Sequence, residues 1–246
     1  MDLRQHFATC GHWLFRWRSV LPVVLVAPLV VALSPFTRLH GDTPVPWYWQ
    51  VLCLFVSAAG LAVRVLVAGF VPAKTSGRNT RRQRAQALNT TGVYSLVRHP
   101  LYLGNLLVGL GWSLFILDPL FVLVYVLAFW LYYERIMIVE EEFLRSEFGD
   151  GFSHWAAVTP TIIPRRLRWT PPGLPFSLRT AIRREYLTFT LMTLVFLVLA
   201  AAENVCAQRK PILDSFWLSA GILAAAVFVV VRVLRKRSRL LSHKGR

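Results

Sequence analysis

The chain has 246 residues, of which 55% are hydrophobic and only 16% charged, and its mean hydropathy is +0.50. A soluble domain carries roughly 25% charged residues, and a disordered chain is polar and highly charged, so both are excluded and an integral membrane protein remains. The net charge of +16 comes from 28 Lys and Arg that sit almost entirely between apolar blocks. That arrangement points to topology and to anionic lipid headgroups as partners, and not to nucleic acid.

Six apolar runs are candidate membrane helices, at about 20–36, 47–71, 101–117, 120–139, 187–202 and 216–231. A full span needs roughly 20 residues, so the third and fifth are short. The first run follows Arg4, Arg16 and Arg18 but contains Pro22, Pro28 and Pro35 and lacks a good A-x-A site after it. It reads as a retained helix. Arg64 lies inside the second run; it is either functional or paired, or it snorkels to the interface near Val71. Trp47, Tyr48 and Trp49 open that run as an interfacial aromatic belt. Leu117-Asp118-Pro119 joins the third and fourth runs so tightly that they must form an antiparallel hairpin.

Basic residues cluster in the N-terminus, in 72–98, in 135–184 and in the tail from Arg232, while the alternate loops are nearly empty. With six spans, both termini and both long basic loops fall on the cytoplasmic side. The expected fold is all-α and polytopic, with about six transmembrane helices and a four-helix catalytic core containing the hairpin. The stiff stretch 169–175, with three prolines, divides a core at 1–170 from an appendage at 171–246, comprising a linker, two C-terminal helices and a basic tail. Cys10, Cys53 and Cys206 are far apart, and no Cys/His spacing supports a metal site or a disulfide framework.

Two stretches carry chemistry. The first is Gly92-Val-Tyr-Ser-Leu-Val-Arg98-His99-Pro100-Leu-Tyr102-Leu-Gly104-Asn105. Pro100 suits the first position of a helix, which sets His99 near the N-cap. Arg98, His99 and the helix N-terminus then form an anion site at the membrane surface, with the Tyr102 hydroxyl beside it. Gly104 permits either close approach of a ligand or close packing of a helix. The second stretch runs from Glu140-Glu141-Glu142 to Phe148-Gly149, within a segment holding half of the chain's acids. Carboxylates at a helix C-terminal end oppose the dipole. They are tolerated if solvated or if they hold a cation. The hairpin returns both stretches to one face, so an anion site and a cation site meet there, as a zwitterion such as an amino acid would require. No Gly-rich phosphate loop, Ser–His–Asp pattern or H-E-x-x-H helix is present.

Gly92-x-Tyr94-x-x-x-Arg98-His99-Pro100-x-Tyr102-x-Gly104 resembles the first signature of the isoprenylcysteine carboxyl methyltransferase and phospholipid N-methyltransferase families of integral membrane methyltransferases. Glu140, Glu141, Leu144, Phe148, Gly149, Phe152, Trp155, Pro160 and Pro164 resemble the second, with Phe152 where the family often has Tyr. The resemblance covers about residues 45–165 and makes Glu142 a spacer. It implies S-adenosylmethionine bound at the cytosolic face. His99 and Tyr102 would hold its carboxylate end, with Pro100 part of the same cofactor site and Gly104 permitting close approach, and Glu140 and Glu141 would serve its ammonium or nearby polar groups. Arg98 and Glu141 are the implied catalytic pair, Arg98 holding an anionic acceptor group or organising the site. The acceptor would be a membrane lipid or a lipidated substrate. The low acidic content points to a bacterial inner membrane.

Two other readings stand beside this one. Sterol C14-reductases share an R-H-P-x-Y-x-G-like stretch and use NADPH, but Glu140 and Glu141 would repel a phosphate-rich cofactor. A non-catalytic transporter subunit or scaffold would carry midplane polar groups and broken helices, whereas here the polar groups gather at the interface.

Overall fold

The computed structural model describes residues 11, 13–17, 45–72, 86–165, 168–208 and 213–237, and every regular element among them is helical. In chain order these are α1 (Trp47–Phe70), a 3-10 turn at Gly92–Ser95, α2 (Pro100–Phe115), α3 (Pro119–Phe148), α4 (Asp150–Val158), α5 (Leu178–Gln208) and α6 (Ser215–Arg237). Among the described residues, four helices are long and apolar enough to cross a membrane: α1, α3, the Leu178–Val205 part of α5, and α6. The expected span at 20–36 lies outside the described residues.

Helix α2 has 16 residues. At 1.5 Å per residue it reaches about 24 Å, short of the roughly 30 Å hydrocarbon thickness, in keeping with its short apolar run. The fifth run differs from its expected length, because α5 is 31 residues long. The charged stretch Arg179–Tyr186 continues the helix beyond the apolar run, and hydropathy does not register such an extension. Helix α3 likewise runs on to Phe148 through Glu140, Glu141 and Glu142.

Helices α1 and α2 approach closely because small residues face each other. A Cβ on Gly60 would lie 2.5 Å from the Gly104 carbonyl oxygen and 2.7 Å from the Val108 nitrogen. Gly111 abuts Ser57 and the Cys53 carbonyl, and the Ser57 hydroxyl donates to the Val108 carbonyl at 2.8 Å. Lipid supplies no hydrophobic drive between helices, so contacts of this kind hold them together. Helices α5 and α6 close the bundle on the other side of α1. Trp217 stacks on Phe196 at 5.6 Å and donates its indole N–H to Gln50 at 2.8 Å. Phe115, Phe196, Leu199 and Trp217 form the centre of the largest apolar cluster.

The α2–α3 hairpin turns within three residues. Leu117 takes a positive φ of 59°, and the Asp118 carboxylate caps α3 by accepting from the Leu120 N–H at 2.9 Å. The turn carries the N-terminus of α2 and the far end of α3 back to the same end of the bundle.

Candidate functional site

The two sequence stretches meet there and are tied together by backbone. The Arg98 N–H donates to the Pro160 carbonyl at 2.8 Å, and the His99 N–H to the Thr161 carbonyl at 3.0 Å. The Trp155 indole donates to the Tyr94 carbonyl at 3.3 Å. Two glycines permit this path. Gly92 sits at φ +61° and donates to the Thr170 carbonyl at 2.8 Å; Gly149 sits at φ +52° where α3 breaks into α4. Both angles favour glycine. Phe152 is fully buried against Trp155, which suits the apolar ring standing at that position.

The charged side chains converge on one cluster. Arg98 Nη1 donates to Glu141 Oε2 at 2.9 Å, and Arg98 Nη2 to Thr161 Oγ1 at 2.6 Å. His99 Nε2 lies 2.9 Å from Glu141 Oε1, and Nδ1 lies 3.5 Å from Glu140 Oε2. His99 is only 6% exposed. Burial alone would lower its pKa, but hydrogen bonds and charge from Glu140 and Glu141 outweigh that and raise it above the ordinary 6.5. An ionised carboxylate only accepts, so a carboxylate beside each ring nitrogen favours the protonated ring. Glu142, the spacer, is exposed.

Pro100 is the first residue of α2 with His99 as N-cap. Tyr102 is buried, stacks on His99 at 5.5 Å and packs on Tyr133 at 4.6 Å. Gly104 does not face this cluster: a Cβ there would meet Arg64 Cγ at 2.5 Å and the Gly60 carbonyl at 2.9 Å, which is helix packing. Arg98, His99, Pro100, Tyr102, Glu140 and Glu141 are thus brought together, and Gly104 lies behind them. Thr161 and Tyr133 join the cluster without having been singled out in the sequence. Thr161 carried a signal, since it lies between the two prolines that end the second motif. Tyr133 carried none.

The cluster pairs Arg98 and His99 with two carboxylates, and Arg98 Nε is a buried donor with no partner among the described residues. Each carboxylate keeps acceptor capacity beyond the bonds it makes here. This donor and acceptor set fits a zwitterionic group.

A family model for phospholipid methyltransferases matches residues 48–151. The chain is 31% identical over 85 residues to a protein-S-isoprenylcysteine O-methyltransferase of Schizosaccharomyces pombe, covering 35% of this chain and 36% of that protein. It is 30% identical over 125 residues to a probable protein-S-isoprenylcysteine O-methyltransferase of Oryza sativa subsp. indica, covering 48% and 63% respectively. It is also 34% identical over 149 residues to the cobalt-zinc-cadmium resistance protein CzcN of Cupriavidus metallidurans, covering 61% and 62%. The chain thus spans less than two thirds of each of these relatives. No solved structure matches it. The matched segment holds the hairpin and both arms of the charged cluster, and over that segment the chain is similar to the isoprenylcysteine and phospholipid methyltransferases of membranes.

Proposed function

We propose that the protein transfers a methyl group from S-adenosylmethionine to a membrane-resident lipid or lipidated acceptor at the cytoplasmic face. The observation that carries this reading is the Arg98–Glu141–His99–Glu140 cluster, where the two methyltransferase-like motifs meet at one end of the hairpin. Arg98 and His99 would hold the carboxylate of the methyl donor, and Glu140 and Glu141 its ammonium. The donor supplies an electrophilic sulfonium methyl when bound. The chain's own part is to align the acceptor and exclude water. Tyr102 and Tyr133 form the apolar wall behind the cluster, and Thr161 fixes the Arg98 fork. His99 faces a carboxylate with each ring nitrogen, an arrangement that favours its protonated form and makes it a poor base. An acceptor already deprotonated at neutral pH, such as a carboxylate, needs none taken. The isoprenylcysteine O-methyltransferase names of several relatives agree with that choice.

The test is to titrate the purified, detergent-solubilised protein with S-adenosylmethionine and, separately, with NADPH, following thermal stability. A saturable rise with S-adenosylmethionine alone is expected. A response to NADPH alone would replace this reading with a reductase. Glu141→Ala removes the partner shared by Arg98 and His99. Losing a charged hydrogen bond costs about 1.5–3 kcal/mol, so affinity for S-adenosylmethionine should fall about 10- to 100-fold. His99→Ala should act in the same direction, whereas Glu142→Ala, at an exposed position, should leave affinity unchanged.

A further inference from the structure

A second polar feature lies outside the matched segment. Where the start of α5 meets the end of α6, a cavity of about 230 Å³ is lined by Tyr186, Arg232, Arg235 and Lys236. Among the described residues, no carboxylate lines it. The three cations stand at spacings of three and four along α6, so they share one face, where like charges repel. Two of them are held in place by aromatic rings. Arg235 lies 5.5 Å above the Tyr186 ring and donates to its hydroxyl at 3.0 Å, and Arg232 lies 5.6 Å above Phe228. Beneath the cations, Tyr186 and Val231 form an apolar cluster with Val227, Phe228 and Leu234. Exposed Leu187, Val230 and Val233 extend this surface along the two helices. The cavity lies at the same end of the bundle as His99: the Ser177 N–H, just before α5, donates to the Gly69 carbonyl at 3.0 Å, and the adjoining end of α1 packs through Val67 and Val71 on Val93 and Leu101.

We propose that this cavity binds the phosphate of an anionic phospholipid headgroup from the adjoining leaflet. Fixed guanidiniums offer paired donors that match phosphate oxygens, and basic recesses between membrane helices are suited to such headgroups. The cations supply the headgroup site, and the apolar cluster with its exposed extension supplies the path for acyl chains. A free phosphate would use only the first of these. The proposal is independent of the methyl-transfer reading.

The test uses the full chain in nanodiscs of phosphatidylcholine, with and without phosphatidylglycerol, and follows the thermal midpoint. Phosphatidylglycerol should raise it for the wild type. Replacing Arg232, Arg235 and Lys236 together by Gln should abolish most of that rise, and Arg235→Gln alone should diminish it. A charge-matched control, replacing Arg239, Lys244 and Arg246 by Gln, should keep it. Equal losses in the two triple variants, or no rise in the wild type, would overturn the site in favour of diffuse attraction. An equal rise from inorganic phosphate in phosphatidylcholine discs would overturn the lipid as its occupant.

Discussion

His99 is the residue on which the cluster turns, and its protonation gives the site a pH dependence of known sign. Its folded pKa is raised above the ordinary 6.5 by Glu140 and Glu141, against the opposing effect of burial. A raised value stabilises the folded state fully below pH 6.5. That contribution is lost as pH rises through the folded value. The thermal midpoint of the wild type should therefore fall from pH 6.5 upward, and His99→Gln should flatten that slope. A variant that keeps the full slope would assign it to another group. Much of this was legible from residue types alone. Pro100 predicts the helix start, and the R-H-P and E-E pairs mark the charged groups. That His99 would lie between both carboxylates was not legible, because it depends on where α3 stands relative to the α2 N-cap. Gly104 shows the same limit. Its sequence admits ligand approach or helix packing, and only the position of Arg64 decides. Gly60, facing it, offers a direct test. Gly60→Ala places a Cβ against backbone atoms of α2, and overpacking of this kind costs about 1–3 kcal/mol. Gly151→Ala, whose Cβ would meet nothing within 4 Å, should cost nothing by the same unfolding measurement.

Among elements, the pairing of α1 with α5 is the feature that hydropathy could not reach. Arg64 is paired, with a partner the sequence did not identify: its Nε donates to Glu185 Oε2 at 2.8 Å, its Nη1 to Asn105 Oδ1 and its Nη2 to Thr188 Oγ1. Glu185 is 2% exposed and lies 121 positions further along the chain. It belongs to the charged start of α5, outside the apolar run, so no span prediction would place it opposite Arg64. Asn105 in turn donates to the Tyr133 hydroxyl at 2.9 Å, and Tyr133 packs on Tyr102 beside His99. Helix α5 is thereby joined to the charged cluster through side chains. Breaking a buried ion pair from one side leaves the other charge unpaired and costs about 3–5 kcal/mol. Glu185→Gln and Arg64→Gln should each lower the unfolding free energy by that order, and the double variant should lose much less than the sum. Simple additivity in the double-mutant cycle would show that the two groups do not act as a pair.

For the whole molecule, the hairpin and the distribution of basic residues make one connected argument about sidedness. The Asp118 turn lies at one end of α2 and α3, and the charged cluster lies at the other. The α6 end bearing Arg232, Arg235 and Lys236 contacts Tyr186 near the start of α5, which is itself held to the end of α1. The basic groups of α6 and the cluster therefore share an end, as the alternation of Lys and Arg between loops requires. If that end is cytoplasmic, a donor made in the cytosol reaches the cluster directly, while the acceptor enters from the leaflet. Single cysteines test this in a chain whose native cysteines are replaced by Ser. Ser146→Cys and Pro119→Cys both occupy exposed positions, one at each end of α3. An impermeant thiol reagent applied to intact cells should label Pro119→Cys and spare Ser146→Cys, and inside-out vesicles should reverse the pattern. Labelling of both from one side would break the hairpin topology. The opposite pattern would keep the hairpin but place the cluster on the far face of the membrane, away from any cytosolic methyl donor.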